Sequence, residues 1–205
     1  MTLPNQLTTL RILFTPFIAW MLLRTSQYAQ VAAFLLFILA SLTDWYDGYT
    51  ARKYGYVSTW GKFFDPLADK ILVTAVLLVF CILGYFPAWM IVIIIVRDVL
   101  ITFLRSYAIF KGRAIMTSLL AKAKTFIQMV VIYMIFLYHL VLRIDLFSKL
   151  APATMVVQEN HIILYSMFLV SFLTVISGVA YIIANRFYLR QMAGEIFRIF
   201  LPTEH

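Results

Sequence analysis

Charge and cysteine are scarce in this chain. Only 13% of its 205 residues are charged and nine are acidic, where a soluble domain carries about a quarter charged. That scarcity excludes an ordinary water-soluble globule. The single cysteine, Cys81, excludes an intramolecular disulfide framework and a cysteine metal cage; alone in an apolar run, it reads as a small packing residue. The chain also lacks a low-complexity tail, an internal repeat and an RNA-binding motif, so its net charge of +8 is not a nucleic-acid footprint. No small-residue cleavage site follows the first apolar run, and polar Asn5, Thr8, Thr9 and Arg11 precede it. This predicts a retained first helix and not a cleaved signal.

What is present is apolar. Hydrophobic residues make up 63%, aromatics 17%, and the mean hydropathy is +0.92. Six stretches are long enough to cross a hydrocarbon layer of about 30 Å as helices: roughly 9–25, 28–52, 59–84, 87–110, 117–144 and 161–188. They are too long, and alternate too little, to be barrel strands. The expectation is an all-α polytopic membrane protein, one domain over 1–205, with six transmembrane helices. Gly84 and Pro87 mark a tight turn. The segment 145–160, with Pro152, reads as the one sizeable outer loop, and 189–205 as a short interfacial tail. With both termini in the cytoplasm, the inner ends collect fourteen Lys and Arg, and the outer ends only Arg24, Arg143 and Lys149. That asymmetry obeys the positive-inside rule.

Four of the nine acidic residues, Asp44, Asp47, Asp65 and Asp69, fall between positions 44 and 69. They belong to the pattern D-x-x-D-G-x-x-A-R, eight residues, then G-x-x-x-D-x-x-x-D. Residues three, four and seven apart share a helix face. Asp44, Asp47, Gly48 and Ala51 therefore form a stripe on the second helix, and Gly61, Asp65 and Asp69 one on the third. The short connection predicts antiparallel neighbours with facing stripes, so four carboxylates converge at the cytoplasmic end. Each buried charge costs about 2.5–3.5 kcal/mol on the insertion scale, so four cost roughly 10–14 kcal/mol unless compensated. Lys70 lies off the Asp65–Asp69 stripe, which leaves divalent cations. With no His or Cys nearby, the oxygen set suits magnesium, manganese or calcium, not zinc. The small residues leave room for a ligand, and Arg52 supplies a cation at the rim. No Cys or Ser/His arrangement is present to act as a covalent nucleophile.

With every fixed position present, this pattern resembles the signature of the CDP-alcohol phosphotransferase family. PNQLTTLRI at 4–12, GKFFDPLADK at 61–70, RDVLITFLR at 97–105 and AKAKT at 121–125, with Gln128 and Met129, are similar to a bacterial branch whose acceptor is glycerol-3-phosphate. The resemblance covers residue 4 to about residue 130. It departs at Ala121, where that branch usually has Gly, and at Asp98, where it usually has Glu. It implies a homodimeric six-helix enzyme of the bacterial inner membrane, its site facing the cytoplasm. Such an enzyme uses two divalent cations, Mg2+ or Mn2+, and transfers a phosphatidyl group from CDP-diacylglycerol with release of CMP. Carried onto this chain, Asp44, Asp47, Asp65 and Asp69 would hold the metals. Gly48, Ala51, Arg52 and Gly61, beside Asp44, Asp47 and Asp65, would line the nucleotide, and Asp69 would be the general base.

A phosphorylated acceptor needs a cationic pocket. Arg105, Lys122 and Lys124 are the first expectations for it, followed by Arg97 and Arg113, all near the cytoplasmic ends of the fourth and fifth helices. Arg97 and Arg105, eight apart, share a face. Asn5, Thr8 and Arg11 are placed to touch the nucleotide or to cap the first helix. His139 and His161 read as packing or interfacial residues on the outer side, and Thr174 and Gly178 as a small-residue helix contact. Other acceptors (phosphatidylglycerol, inositol phosphate, serine) and an ion-coupled transporter with an aspartate site are the competing readings.

Overall fold

The computed structural model describes residues 3–54, 61–110, 119–144, 149–186, 189 and 194; at 3–8, 44–54, 61–69, 109–110 and 151 it describes the backbone alone. Among these residues there are seven α-helices and no strand: α1 (Leu3–Leu22), α2 (Gln27–Tyr54), α3 (Gly61–Ile82), α4 (Ala88–Phe110), α5 (Leu119–Arg143), α6 (Ala151–Glu159) and α7 (Ile162–Ala184). Six of them have at least 20 residues, which makes each about 30 Å or longer. By length and composition α5 and α7 are apolar enough to cross a bilayer. The long helices expose large apolar side chains: Phe103, Phe126, Phe168 and Phe172 are each more than half exposed. Water does not tolerate apolar surface on this scale, whereas lipid does. This is a membrane protein.

Two elements differ from the sequence expectation. Helix α1 begins at Leu3, six residues before the apolar run, because Pro4 lies in its first turn, where a missing N–H costs nothing. The expected outer loop contains α6, with a proline again in its first turn. Its nine residues reach only about 14 Å, too short to cross.

Helix α1 packs along both α2 and α3, α4 along α3 and α7, and α5 along α7, α2 and α3. The core centres on three phenylalanines. Phe136 of α5 stacks on Phe37 of α2, with centroids 5.1 Å apart, and meets Phe80 of α3 edge-on at 5.0 Å. Among the described residues α1 packs against both α2 and α3, and Phe136 of α5 touches each of them; the facing of the two motif stripes falls on side chains outside the described residues.

The turn after α3 is where the expected Gly84 punctuation sits. Gly84 has φ +83°, the left-handed conformation that only glycine adopts freely. Its N–H donates to Cys81 O and the Tyr85 N–H donates to Phe80 O, which closes α3 with a Schellman cap. The Tyr85 ring covers Phe80 edge-on at 5.7 Å, the apolar contact that accompanies such caps. No atom lies within 4 Å of a Cβ added at Gly84, so a substitution there costs only backbone strain. Gly84→Ala is expected to destabilise by about 1 kcal/mol. The thermal unfolding midpoint in detergent should fall by roughly 2–4 °C; an unchanged midpoint would mean the turn relaxes into another conformation.

Candidate active site

The aspartate pattern lies on helical backbone at both halves. Helix α2 runs without interruption through Asp44, Asp47, Gly48, Ala51 and Arg52 to Tyr54, and α3 opens at Gly61 and carries Asp65 and Asp69 in its first turns. The spacing of three, four and seven therefore does form one stripe per helix. The side chains of these eight residues, and the connecting segment 55–60, lie outside what is described. Asn5 and Thr8 are in the first turns of α1, also as backbone alone. Only four residues separate α1 from α2, so the start of α1 lies at the same end of the bundle as the motif. Arg11, one turn further along α1, is buried.

At this same end, α4, α5 and α7 enclose a polar cluster. Its centre is Asp98 of α4. The Lys124 ammonium of α5 donates to both carboxylate oxygens, at 2.9 and 2.8 Å. The Arg97 Nη1 donates to Asp98 Oδ1 at 2.9 Å, and its Nη2 donates to Ser177 Oγ of α7 at 3.1 Å. From α3, the Lys70 ammonium donates to the Asp98 backbone carbonyl at 2.9 Å and also to the Thr102 hydroxyl. Lys70 thus turns off the Asp65–Asp69 stripe toward α4, as its position in sequence predicts. Lys124 is only 1% exposed, and a buried ammonium persists only when paired and hydrogen-bonded. Two cations meet the Asp98 carboxylate and a third, Lys70, meets the backbone carbonyl of the same residue, so three cations surround one carboxylate among the described side chains. The cluster is therefore biased toward anions.

The expected acceptor cations divide into two groups. Arg97 and Lys124 are brought together, but on Asp98, whose carboxylate engages both. Arg105 and Lys122 are exposed among the described residues. Arg113 lies outside the described residues. The expected contact at Gly178 is with Arg97: a Cβ on Gly178 would come within 3.2 Å of Arg97 Cγ. The guanidinium stem lies against α7 because that position has no side chain.

The outer end is built differently. The Tyr85 hydroxyl is 2.6 Å from His139 Nδ1, and His139 is fully buried. Burial raises the Tyr85 hydroxyl pKa to about 12, so it stays protonated as a hydrogen-bond partner. His161 precedes α7 with φ 48°. His139 is thus a packing residue, and His161, exposed at the start of α7, has the interfacial position expected as the alternative.

Sequence reasoning missed Ser177 and Tyr181. The signal was present in α7 as a polar line, Ser171, Thr174, Ser177 and Tyr181, spaced three or four apart and buried along an otherwise apolar helix.

Comparison with known proteins extends the likeness. The family model described as CDP-alcohol phosphatidyltransferase matches residues 1–159. The chain is 37% identical over 150 residues to the CDP-diacylglycerol–glycerol-3-phosphate 3-phosphatidyltransferase of Bacillus subtilis, covering 67% of this chain and 78% of that protein. It is 35% identical over 186 residues to the protein of the same name from Rickettsia typhi, covering 91% and 98%. It is 36% identical over 183 residues to a probable phosphatidylglycerophosphate synthase of Mycobacterium tuberculosis, covering 88% and 79%. The aspartate pattern and the Asp98–Lys124 pair both lie inside the stretch matched by the family model. The chain belongs to the CDP-alcohol phosphatidyltransferase family.

Proposed function

We propose that this chain transfers the phosphatidyl group of CDP-diacylglycerol to glycerol-3-phosphate, giving phosphatidylglycerophosphate and CMP. The observation that carries this reading is the helical register of Asp44, Asp47, Asp65 and Asp69 at one end of the bundle, the end where the Arg97–Asp98–Lys124 cluster also lies. The names of the relatives support the same donor and acceptor. Six spans with both termini in the cytoplasm and a homodimer in the bacterial inner membrane complete the proposal; the lengths of the six long helices and the Lys/Arg asymmetry support that topology. The Arg24 guanidinium, 4.4 Å over the Trp20 ring, suits the outer interface.

Four carboxylates with no nitrogen or sulfur ligand are the donor set that hard divalent cations require, so Mg2+ or Mn2+ fits Asp44, Asp47, Asp65 and Asp69. Such cations supply charge neutralisation of the pyrophosphate and of the departing CMP. The chain's own residues do the rest. Gly48, Ala51 and Gly61 present no bulk beside the aspartates, which lets the nucleotide approach backbone, and Arg52 adds a cation at the rim. Asp69 takes the proton from the acceptor hydroxyl as that oxygen bonds to the phosphorus bearing diacylglycerol and the bond to CMP breaks. With four carboxylates so close in register, the titration belongs to the group and not to Asp69 alone. Arg105 and Lys122 meet the acceptor phosphate, with Arg113 beside them. Arg97 and Lys124, tied to Asp98, set the positive field around it.

Release of radiolabelled CMP from CDP-diacylglycerol, with candidate acceptors supplied one at a time, tests the proposal. Release dependent on glycerol-3-phosphate is expected. Release only with phosphatidylglycerol, inositol phosphate or serine would assign a sister reaction, and no release with any acceptor would point to the transporter reading.

A further inference from the structure

Tyr181 of α7 is only 4% exposed, and its hydroxyl has no hydrogen-bond partner among the described residues. In a membrane protein most tyrosines place the ring in lipid and the hydroxyl in interfacial water. Tyr181 does neither. A phenylalanine would fill the same volume without stranding a donor, and this chain uses phenylalanine eighteen times.

The surroundings of that hydroxyl are cationic. Ser177 and Gly178, one turn before Tyr181 on the same face of α7, hold Arg97 through the 3.1 Å hydrogen bond and the close approach at Gly178. Arg105, eight residues after Arg97 on α4, carries a second guanidinium further toward the same end. Tyr181 lies about 6 Å past Ser177 along α7, while Arg97 and Arg105 are about 12 Å apart along α4. The tyrosine is thus bracketed by the two arginines. The Arg97 Nε is a second buried donor with no partner among the described residues. An unbonded O–H donor and an unbonded guanidinium N–H, with a second arginine on the same helix as Arg97, describe a receptor for an anion with several oxygens. The carboxylate of Asp98 bonds to Lys124 and to Arg97 Nη1 and to neither of these two donors.

We propose that Tyr181 is a phosphate-binding residue of the acceptor subsite, its hydroxyl donating to the acceptor's phosphate between Arg97 and Arg105. This deepens the proposed reaction and rests on its acceptor being a phosphate ester. It also brings α7, which carries none of the family's aspartate pattern, into substrate selection.

The test is Tyr181→Phe in the full-length enzyme, assayed by CMP release and by thermal unfolding. Loss of one hydrogen bond to a charged group should raise KM for glycerol-3-phosphate about tenfold or more and leave KM for CDP-diacylglycerol within twofold. The inhibition constant of inorganic phosphate, competitive with glycerol-3-phosphate, should rise by the same factor. The unfolding midpoint should not fall, since the hydroxyl has no hydrogen-bond partner among the described residues. An unchanged KM and inhibition constant would overturn the proposal. So would a parallel rise in both KM values with a lowered midpoint, the signature of a packing residue. If the wild-type enzyme ignores glycerol-3-phosphate altogether, the proposed reaction fails by itself, and the subsite is then read by inorganic phosphate alone. A midpoint raised by phosphate in wild type but not in the variant supports the role of Tyr181; equal rises in both refute it.

Discussion

Asp65→Asn is expected to cut turnover by at least a hundredfold and to raise the divalent cation concentration needed for half activity. The substitution keeps the shape of the side chain and removes one negative charge from a set of four. Charge stabilisation by clamped cations contributes several kcal/mol to a transfer of this type. Each 1.36 kcal/mol is tenfold in rate, so losing even half of that contribution gives the expected drop. Stability should move the other way. Without cations, four carboxylates at one end of α2 and α3 repel one another, and removing one relieves that repulsion. The variant should therefore unfold no more easily than wild type in chelator. Inactivity with an unchanged or raised unfolding midpoint separates lost chemistry from lost folding. Near-normal turnover, with the same cation requirement, would remove the aspartate cation site from the mechanism.

How far the sequence reveals this fold depends on which contacts are local. The aspartate stripes are legible because helical spacing is a property of one segment, and α2 and α3 are helical over the whole pattern. Gly84 was legible for the same reason: a Schellman cap is built from six consecutive residues, Cys81 and Phe80 among them. The start of α1 and the existence of α6 were hidden because polar and proline-bearing turns carry no hydropathy signal, although proline suits a first helical turn. The partnership of Asp98 with Lys124 spans 26 positions, and that of Arg97 with Ser177 spans 80. Nothing in either segment alone selects those partners. The likeness visible in the residues ends near residue 130, whereas the alignment with the Rickettsia typhi protein spans 186 residues. Tyr181 was hidden by composition. Among the described tyrosines of a membrane chain, one that is buried and unbonded is identified only by its surroundings.

Lys124→Ala is the case where residue type and structure lead to different expectations. Residue type and position alone make Lys124 a phosphate ligand, whose loss raises KM for the acceptor more than for the lipid. The geometry makes it first a structural partner. Its ammonium is 1% exposed and spends two of its three donors on Asp98. Removing one member of a buried ion pair costs about 3–5 kcal/mol, because the other is left uncompensated. Arg97 still reaches Asp98 Oδ1, which puts the expected loss near the lower end, about 3 kcal/mol. The thermal midpoint should then fall by roughly 6–12 °C. Asp98→Asn added to Lys124→Ala should restore more than half of that loss, since the stranded charge is gone and Arg97 can still bond the amide oxygen. The two roles separate cleanly in these variants. A full-strength unfolding transition combined with a tenfold rise in KM for glycerol-3-phosphate would make Lys124 a direct phosphate contact that releases Asp98 on binding. A lowered midpoint rescued by the second substitution would make the pair the clamp that holds α4 against α5, and would leave the phosphate to Arg105, Lys122 and the tyrosine of α7.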